Sequence, residues 1–173
     1  MWSPNCYTTF QNLLPTPIIS LFEDGEYNVY IAPDVVDFIS LIGQNFTNLY
    51  DKVDFDWKRL AGAKVIEVEN LKVYDYIDYL ATTQAGLFLD HGARVNSVFT
   101  SYRFINSTWS QRLGGFANRR FPEQDYLTME VMTIGANVTE KVHVPYFASY
   151  SGAPFTDQTS LQVLFSSNCS WTN

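Results

Sequence analysis

Residues Phe55–Glu69 read FDWKRLAGAKVIEVE, and this stretch decides the fold. Its second half, Ala63–Glu69, combines β-branched residues with a charged side, which predicts a strand. After Asn70-Leu71-Lys72 the apolar residues change to helical spacing, on a face that ends near Gly86. The residues of that face are Val73, Tyr74, Ile77, Leu80 and Ala81. We expect Trp57 and Val65 to be core anchors of an α+β domain.

Two strands and a helix are predicted upstream of this stretch. Thr16–Glu23 and Tyr27–Ala32 form a hairpin across Asp24-Gly25, because this dipeptide tolerates the positive φ of a tight turn. Pro33 then opens a helix for which Gly43 stands at the C-cap. Its apolar face is Val35, Phe38, Ile39 and Ile42. Tyr50–Trp57 is predicted to be an acidic, aromatic connection.

Downstream, Asp90 is placed to N-cap a helix that runs through Ala93, Val98, Phe99 and Tyr102. Tyr126–Ile134 and Lys141–Tyr150 alternate as a hairpin pair across Gly135-Ala136-Asn137. The chain has 173 residues, of which 46% are hydrophobic and 16% aromatic, which is ample for a packed core. No repeat, low-complexity tract or linker interrupts it, so residues 1–173 are predicted to form one domain.

Charge and hydropathy exclude two classes of partner. The net charge is −7, and only Lys58-Arg59 and Arg119-Arg120 are adjacent basic residues, whereas nucleic-acid binding needs clustered Lys and Arg. Charged or polar residues interrupt every apolar run well before the roughly 18 residues of a membrane span. We therefore expect a soluble domain that binds neither nucleic acid nor a membrane.

Three stretches together resemble a known protein family. They are FDWKRLAGAKVIEVE at Phe55–Glu69, LDHGARVNSVF at Leu89–Phe99 and SQRLGGF at Ser110–Phe116. The chain is similar, from about residue 10 to about residue 155, to the non-catalytic PDZ-like module of secreted fungal serine peptidases. These are peptidases of the tail-specific, C-terminal-processing type, related to the chlamydial protease-like activity factor. Members usually have Asp-Gly or Asn-Gly where this chain has Asn70-Leu71.

The resemblance implies a fold and a function. The fold would be a PDZ-like, partly open β-barrel or sandwich of about five to six strands with two to three short helices. The chain would be a substrate-binding or regulatory module of a longer peptidase, with the catalytic domain absent and an extended peptide or that catalytic domain as partner. Two alternatives stay open: a stand-alone secreted interaction protein derived from such a peptidase, and an enzyme that uses unrecognised residues.

The sequence contains no set of residues typical of a catalytic site. A serine hydrolase needs an activated nucleophile, a base and oxyanion donors, but the chain has neither Gly-x-Ser-x-Gly nor Ser-x-x-Lys. His91 is expected to cap or pack a helix, and His143 to lie at the surface or half-buried on a strand. Asp51, Asp54 and Asp56 lack the spacing of a calcium loop. We expect no catalytic residue, no metal and no cofactor.

Peptide recognition is the function that remains. PDZ-like folds add an extended peptide to a strand edge and receive its terminal carboxylate on exposed amides. The candidate loop is Leu113-Gly114-Gly115-Phe116, where the glycines allow close backbone approach and the Phe is expected to line a pocket. Positive charge is supplied nearby by Arg112, Arg119 and Arg120. An ordinary glycine turn is the alternative interpretation.

Four glycosylation sequons indicate a secreted protein, although no signal peptide is visible at the N-terminus. The acceptors are Asn45, Asn106, Asn137 and Asn168. The two cysteines, Cys6 and Cys169, lie near opposite ends, and a bridge between them would close a loop worth about 5 kcal/mol by a loop-entropy model. Alternatively, the two cysteines are unrelated thiols, or one or both of them pair with residues outside this chain.

Overall fold

The computed structural model describes residues 10–39, 44–85, 87–119, 122, 124–150 and 156–160, and in these residues the fold is α+β. The strands are β1 Phe10–Leu13, β2 Ile18–Glu23, β3 Glu26–Ile31, β4 Lys64–Val68, β5 Leu71–Lys72, β6 Ser101–Ile105, β7 Thr108–Arg112, β8 Asn118–Arg119, β9 Tyr126–Met132, β10 Glu140–Pro145 and β11 Phe147–Tyr150. The α-helices are α1 Val35–Ile39, α2 Gln44–Lys52, α3 Val73–Thr83, α4 His91–Val98 and α5 Gly114–Ala117, and a 3₁₀ turn spans Lys58–Leu60.

Six strands form the main sheet, in the order β10-β9-β4-β3-β2, with β5 also paired to β4. All of its pairs are antiparallel. Buried residues alternate with more exposed ones along β9 and β10: β9 buries Leu127, Met129 and Val131, and β10 buries Val142 and Val144. Alternation of this kind is the expected pattern for an antiparallel sheet that covers a core on one side.

The β2–β3 hairpin confirms the prediction made from Asp24-Gly25. Both residues have positive φ, 53° and 87°, as a two-residue turn requires. The ladder runs from Ile18 opposite Ile31 to Glu23 opposite Glu26. A strand prediction based on local turn chemistry is therefore correct to within about two residues at either end.

The predicted strand of Ala63–Glu69 is β4, at the centre of the main sheet. It pairs with β3 at Lys64 and Val65 and with β9 along its length, with a shift of register between Val65 and Glu67. The turn that follows differs from the prediction: Glu69 and Asn70 carry the positive φ values, 50° and 62°, so the turn is one residue earlier than Asn70-Leu71. The Glu69 carboxylate also accepts a hydrogen bond of 2.7 Å from the Thr128 backbone N–H.

Helix α3 confirms the helical spacing after Lys72, with one change of face. Val73, Ile77, Leu80 and Ala81 are buried as predicted, but the buried aromatic residue is Tyr76, and Tyr74 is exposed. The predicted end of the helix at Gly86 lies outside the described residues.

Helix α4 begins where Asp90 predicts, because its carboxylate accepts a 2.7 Å hydrogen bond from the Ala93 N–H. The helix is shorter than predicted. Phe99 is already extended, Thr100 N–H donates to the Ile18 carbonyl at 2.8 Å, and Tyr102 lies in β6. The helix therefore ends where the chain forms this hydrogen bond to β2.

The N-terminal helical region was predicted only in part. Val35 is buried in α1, but the predicted positions of Ile42 and Gly43 lie outside the described residues. Helix α2 was not predicted, since its residues are mostly polar and only Phe46 and Tyr50 are buried in it.

An aromatic cluster joins α2 to the segment before β4. The Trp57 ring lies 6.3 Å from Phe46 and 6.2 Å from Tyr50, centroid to centroid, and Phe46 in turn lies 5.1 Å from Phe147 of β11. The Tyr50 hydroxyl donates to the Pro145 carbonyl at 3.0 Å, and burial raises the pKa of this phenol well above its usual value. The cluster covers one end of the main sheet.

Two smaller sheets make the strand content higher than the five to six strands predicted. β1 pairs with β11 and β8, and β6 pairs only with β7 among the residues described. The predicted strand Lys141–Tyr150 is split at Tyr146, because its two halves pair in different sheets, β10 with β9 and β11 with β1. None of the described helices has the length and apolarity needed to cross a membrane.

Trp57 tests the aromatic cluster. Its side chain is 2% exposed, so Trp57→Ala should lower the free energy of unfolding by about 3–5 kcal/mol, as truncation of a buried aromatic does. Trp109 is the matched control: it is 61% exposed on β7 and contacts Phe104 across the ribbon, so Trp109→Ala should cost less than about 1 kcal/mol. Urea unfolding followed by circular dichroism measures both. Equal midpoints for the two variants would show that Trp57 is not a core anchor.

Candidate functional site

A groove of about 200 Å³ runs beside the predicted recognition loop. Its walls come from the end of α3, the α3–α4 connection, the end of α4 and the segment from Arg112 to Asn118. Three of the four predicted loop residues, Leu113, Gly114 and Gly115, line this groove. The fourth, Phe116, does not: it is fully buried, with its ring 6.1 Å from Tyr76 of α3.

Position 114 requires glycine, because two backbone segments lie too close together there to leave room for a side chain. Its φ is +71°, and a Cβ at this position would lie 2.3 Å from the Phe99 carbonyl oxygen and 2.6 Å from that of Val98. No side chain fits there without moving the end of α4. Gly114 therefore holds the loop against α4, which is the structural role that the glycine-turn interpretation expected.

Gly115 has no such constraint. A Cβ there would meet Ser97 O at 3.6 Å and Val98 Cα at 3.7 Å, both ordinary van der Waals distances. The residue is exposed and borders the groove. Of the two glycines, this is the one whose missing side chain leaves the floor of the groove open.

A strand edge follows the loop directly. β8 pairs with β1 on one side and stands at the end of its sheet, in the order β11-β1-β8. Asn118, the first residue of β8, also lines the groove. The structure thus brings together a glycine loop and a strand edge, the two parts that the sequence had placed next to each other.

The charge and apolarity of the groove come from different segments. Arg112 is exposed and is the cation that lines it. Of the other two predicted arginines, Arg120 and the side chain of Arg119 lie outside the described residues. Leu87 and Phe88 supply the apolar rim, at 76% and 43% exposed, and Leu89 beside them is fully exposed.

Sequence reasoning missed this apolar rim. The signal was present as the run Leu87-Phe88-Leu89 between a glycine and the capping Asp90. Three large apolar residues in a connection have no helical or strand face to bury, and exposed apolar clusters mark interaction surfaces.

The two histidines have structural partners. His91 Nε2 lies 2.7 Å from Asp78 Oδ1, which joins α4 to α3, in keeping with the packing role expected for it. His143 is exposed on β10, with Nδ1 3.2 Å from Thr128 Oγ1 and its ring 5.0 Å from Tyr126. The described residues form two ion pairs with a carboxylate, Arg59–Glu140 and His91–Asp78, and His143 is in neither.

The acidic residues Asp51, Asp54 and Asp56 are exposed around the end of α2. Within the part of the chain that the structure describes, no three His, Cys, Asp or Glu side chains are grouped closely enough to hold a metal ion.

Three of the four sequons lie at the described surface. Asn45 is exposed in α2, Asn137 is exposed in the β9–β10 connection, and Asn106 is exposed at the tip of the β6–β7 ribbon. Asn106 and Ser107 have φ values of 50° and 62°, so they form the two-residue turn of that ribbon. Asn168, Cys6 and Cys169 lie outside the described residues.

Comparison with known proteins adds no relative: no family model, curated protein or solved structure matches the chain.

Replacement of Gly114 or Gly115 by Ala should have opposite effects on the stability of the fold. Gly114→Ala should destabilise the fold by at least about 1–3 kcal/mol, because it adds both a strained φ and a clash with backbone. Gly115→Ala should be neutral or stabilising by up to about 1 kcal/mol, because the position is helical and has room for a Cβ. Thermal unfolding of the two variants checks this. Similar losses for both would mean that the loop is placed wrongly against α4.

Proposed function

We propose that the chain is a non-catalytic, PDZ-like peptide-binding module of a secreted serine-type peptidase. The observation that carries the proposal is the groove beside Leu113–Gly115, which reaches Asn118 of β8, the edge strand of its sheet among the described residues. In strand addition, main-chain hydrogen bonds to such an edge provide affinity, and neighbouring pockets select side chains.

The shape of the groove suits an extended peptide. Its volume of about 200 Å³ is below the roughly 300–1,000 Å³ of sites that enclose a drug-sized ligand. It holds one or two side chains, while the rest of the peptide continues along the surface. Leu80 and Val98 form the apolar floor, and Leu87 and Phe88 form the rim.

The polar end of the groove suits a carboxylate. Arg112 offers a guanidinium, which pairs with carboxylates through two parallel hydrogen bonds, and Gly115 lets a ligand approach the backbone without obstruction. A free peptide C-terminus placed here would have its last side chain against the apolar floor. This arrangement is the one that the resemblance to PDZ-like modules implies.

The same proposal includes the absence of catalysis and the extracellular location. The chain carries no recognised serine-peptidase motif, and its two histidines are exposed and contact Asp78 and Thr128. The exposure of Asn45, Asn106 and Asn137 supports a protein that passes through the secretory pathway. The partner is an extended peptide, in trans or from a catalytic domain.

Peptide binding is tested by titrating the ¹⁵N-labelled chain with matched peptides that end in a free carboxylate or in an amide. Free-carboxylate peptides should shift amides of residues 112–118, and the amidated peptides should bind at least about tenfold more weakly, since the charge-assisted bond to Arg112 is lost. Arg112→Gln should abolish that difference between the two peptide forms.

Gly115→Val is the steric test of the same site. Its side chain should fill the groove and impair binding of both peptide forms while the unfolding midpoint stays near that of the parent, because a Cβ is accommodated there. Tyr27→Val, a change at a residue 67% exposed on the β2–β3 hairpin, serves as a surface control. Shifts that map elsewhere, or no shifts with any peptide, would refute the assignment of the groove.

The absence of peptidase activity is tested with a fluorophosphonate probe and an unstructured protein substrate. We expect neither labelling of a serine nor turnover, because no nucleophile is paired with a base in a recognised motif. Stoichiometric labelling of one serine together with substrate cleavage would make the chain an enzyme.

A further inference from the structure

A second cavity, of about 220 Å³, borders α3, and four of its eight described lining residues are tyrosines. It is bordered by the β4–β5 turn and β5, by α3, by the start of β9 and by the residue between β10 and β11. The lining residues are Glu69, Leu71, Tyr76, Tyr79, Gln124, Tyr126, Leu127 and Tyr146. None of them lines the groove beside Gly115.

Among the described residues, four tyrosines and one carboxylate, that of Glu69, line this cavity, and no Lys or Arg of the described chain does. The rings of Tyr76 and Tyr79 are 6.1 Å apart and tilted by 38°. Tyr79 and Tyr126 are 42% and 41% exposed, so their rings are accessible from solvent. Aromatic faces carry negative electrostatic potential and attract cations that lie within about 6 Å of the ring centre.

Glu69 is held in place at the edge of this cavity by two hydrogen bonds to Thr128. Its backbone N–H donates to the Thr128 carbonyl at 2.9 Å, and its carboxylate accepts from the Thr128 N–H at 2.7 Å. A Glu with a φ of 50° occupies a conformation that Gly or Asn adopts more easily. Glu69 and Asn70 form the two-residue turn between β4 and β5, so the pairing of these strands fixes the position of Glu69.

One cation lies near this turn without lining the cavity. Lys141 Nζ donates to Asn70 Oδ1 at 3.1 Å, on the residue after Glu69. Lys141 is not a lining residue, and among the described residues Glu69 is the charged side chain that lines the cavity. The net charge of −7 over the whole chain favours cations further.

From this geometry we infer that the tyrosine cavity is a binding site for an organic cation, an alkylammonium or guanidinium group. The cation would sit against the rings of Tyr79 and Tyr126 and pair with the Glu69 carboxylate. A cavity of this size accepts one such head group, either of a free small molecule or at the end of a basic side chain of a protein. The inference does not depend on the peptide groove, since the two sites share no residue.

The experiment measures binding of two matched ligand pairs to the complete chain by NMR at constant ionic strength. The first pair is choline and its neutral isostere 3,3-dimethylbutan-1-ol, and the second is Nα-acetyl-arginine amide and Nα-acetyl-citrulline amide. Each cation should bind about tenfold more tightly than its neutral partner, with shifts in the rings of Tyr79 and Tyr126. Tighter binding of choline would identify a free quaternary ammonium as the ligand class, and tighter binding of the arginine derivative a basic side chain.

Three variants locate the site. Glu69→Gln keeps an oxygen to accept from Thr128 N–H but removes the charge, so it should weaken both cations several-fold and leave the neutral isosteres unchanged. Tyr79→Leu keeps apolar surface but removes the ring, and it should also weaken the cations. Tyr27→Leu, on the β2–β3 hairpin, should have no effect.

Thermal midpoints near the parent value confirm that each variant is folded. Equal binding of the cations and their neutral isosteres would overturn the inference. So would the absence of binding by either cation, or cation binding that survives both Glu69→Gln and Tyr79→Leu. Peptide binding at the Gly115 groove is read from different amides, so a failure at one site leaves the result at the other unaffected.

Discussion

The rest of the structure depends on the position of β4 at the centre of the main sheet. This strand pairs with β3 and β9 on its two sides and with β5 beyond the Glu69–Asn70 turn. It buries Val65 and Val68, and α3 packs against it. Because the turn leads directly from β4 into β5 and α3, the register of one strand also determines where that helix lies. Both of the proposed binding surfaces include residues of that helix.

The two surfaces take different residues of α3. Leu80 and Gln84 line the groove beside Gly115, whereas Tyr76 and Tyr79 line the tyrosine cavity. The chemistry of the two surfaces is opposite: Arg112 makes the groove suitable for an anion, and Glu69 with four tyrosines makes the cavity suitable for a cation.

Close approach of backbones sets the geometry of the groove. Gly114 lies against the last carbonyls of α4, and Phe116, two residues later, is buried against α3. With Gly114 and Phe116 both committed to packing, the segment between them presents Gly115 outward. The aromatic cluster of Phe46, Tyr50 and Trp57 packs α2 against the segment before β4 and contacts Pro145 at the end of β10.

Local features could be predicted because their causes are local. The Asp24-Gly25 turn, the strand of Ala63–Glu69, the helix after Lys72 and the cap at Asp90 each depend on residues within one or two turns of each other. Helix α2 was missed although Phe46, Leu49 and Tyr50 follow helical spacing, because the helix is short and its other residues are polar. The end of α4 was misplaced because a distant strand, β2, binds the Thr100 N–H.

For the candidate site, the sequence by itself predicted a glycine-containing loop at Leu113–Phe116 with cations nearby and no recognised catalytic motif, whereas the structure has the one-turn helix α5 at Gly114–Ala117. Only the tertiary structure decided the roles within it: Gly114 is structural, Gly115 is open and Phe116 belongs to the core. It also decided that tyrosines more than 60 residues apart in the chain, from Tyr76 to Tyr146, line one cavity with Glu69. The physical reason is that a turn or a cap is made by neighbours in sequence, whereas a cavity is the space left between elements that pack from distant parts of the chain.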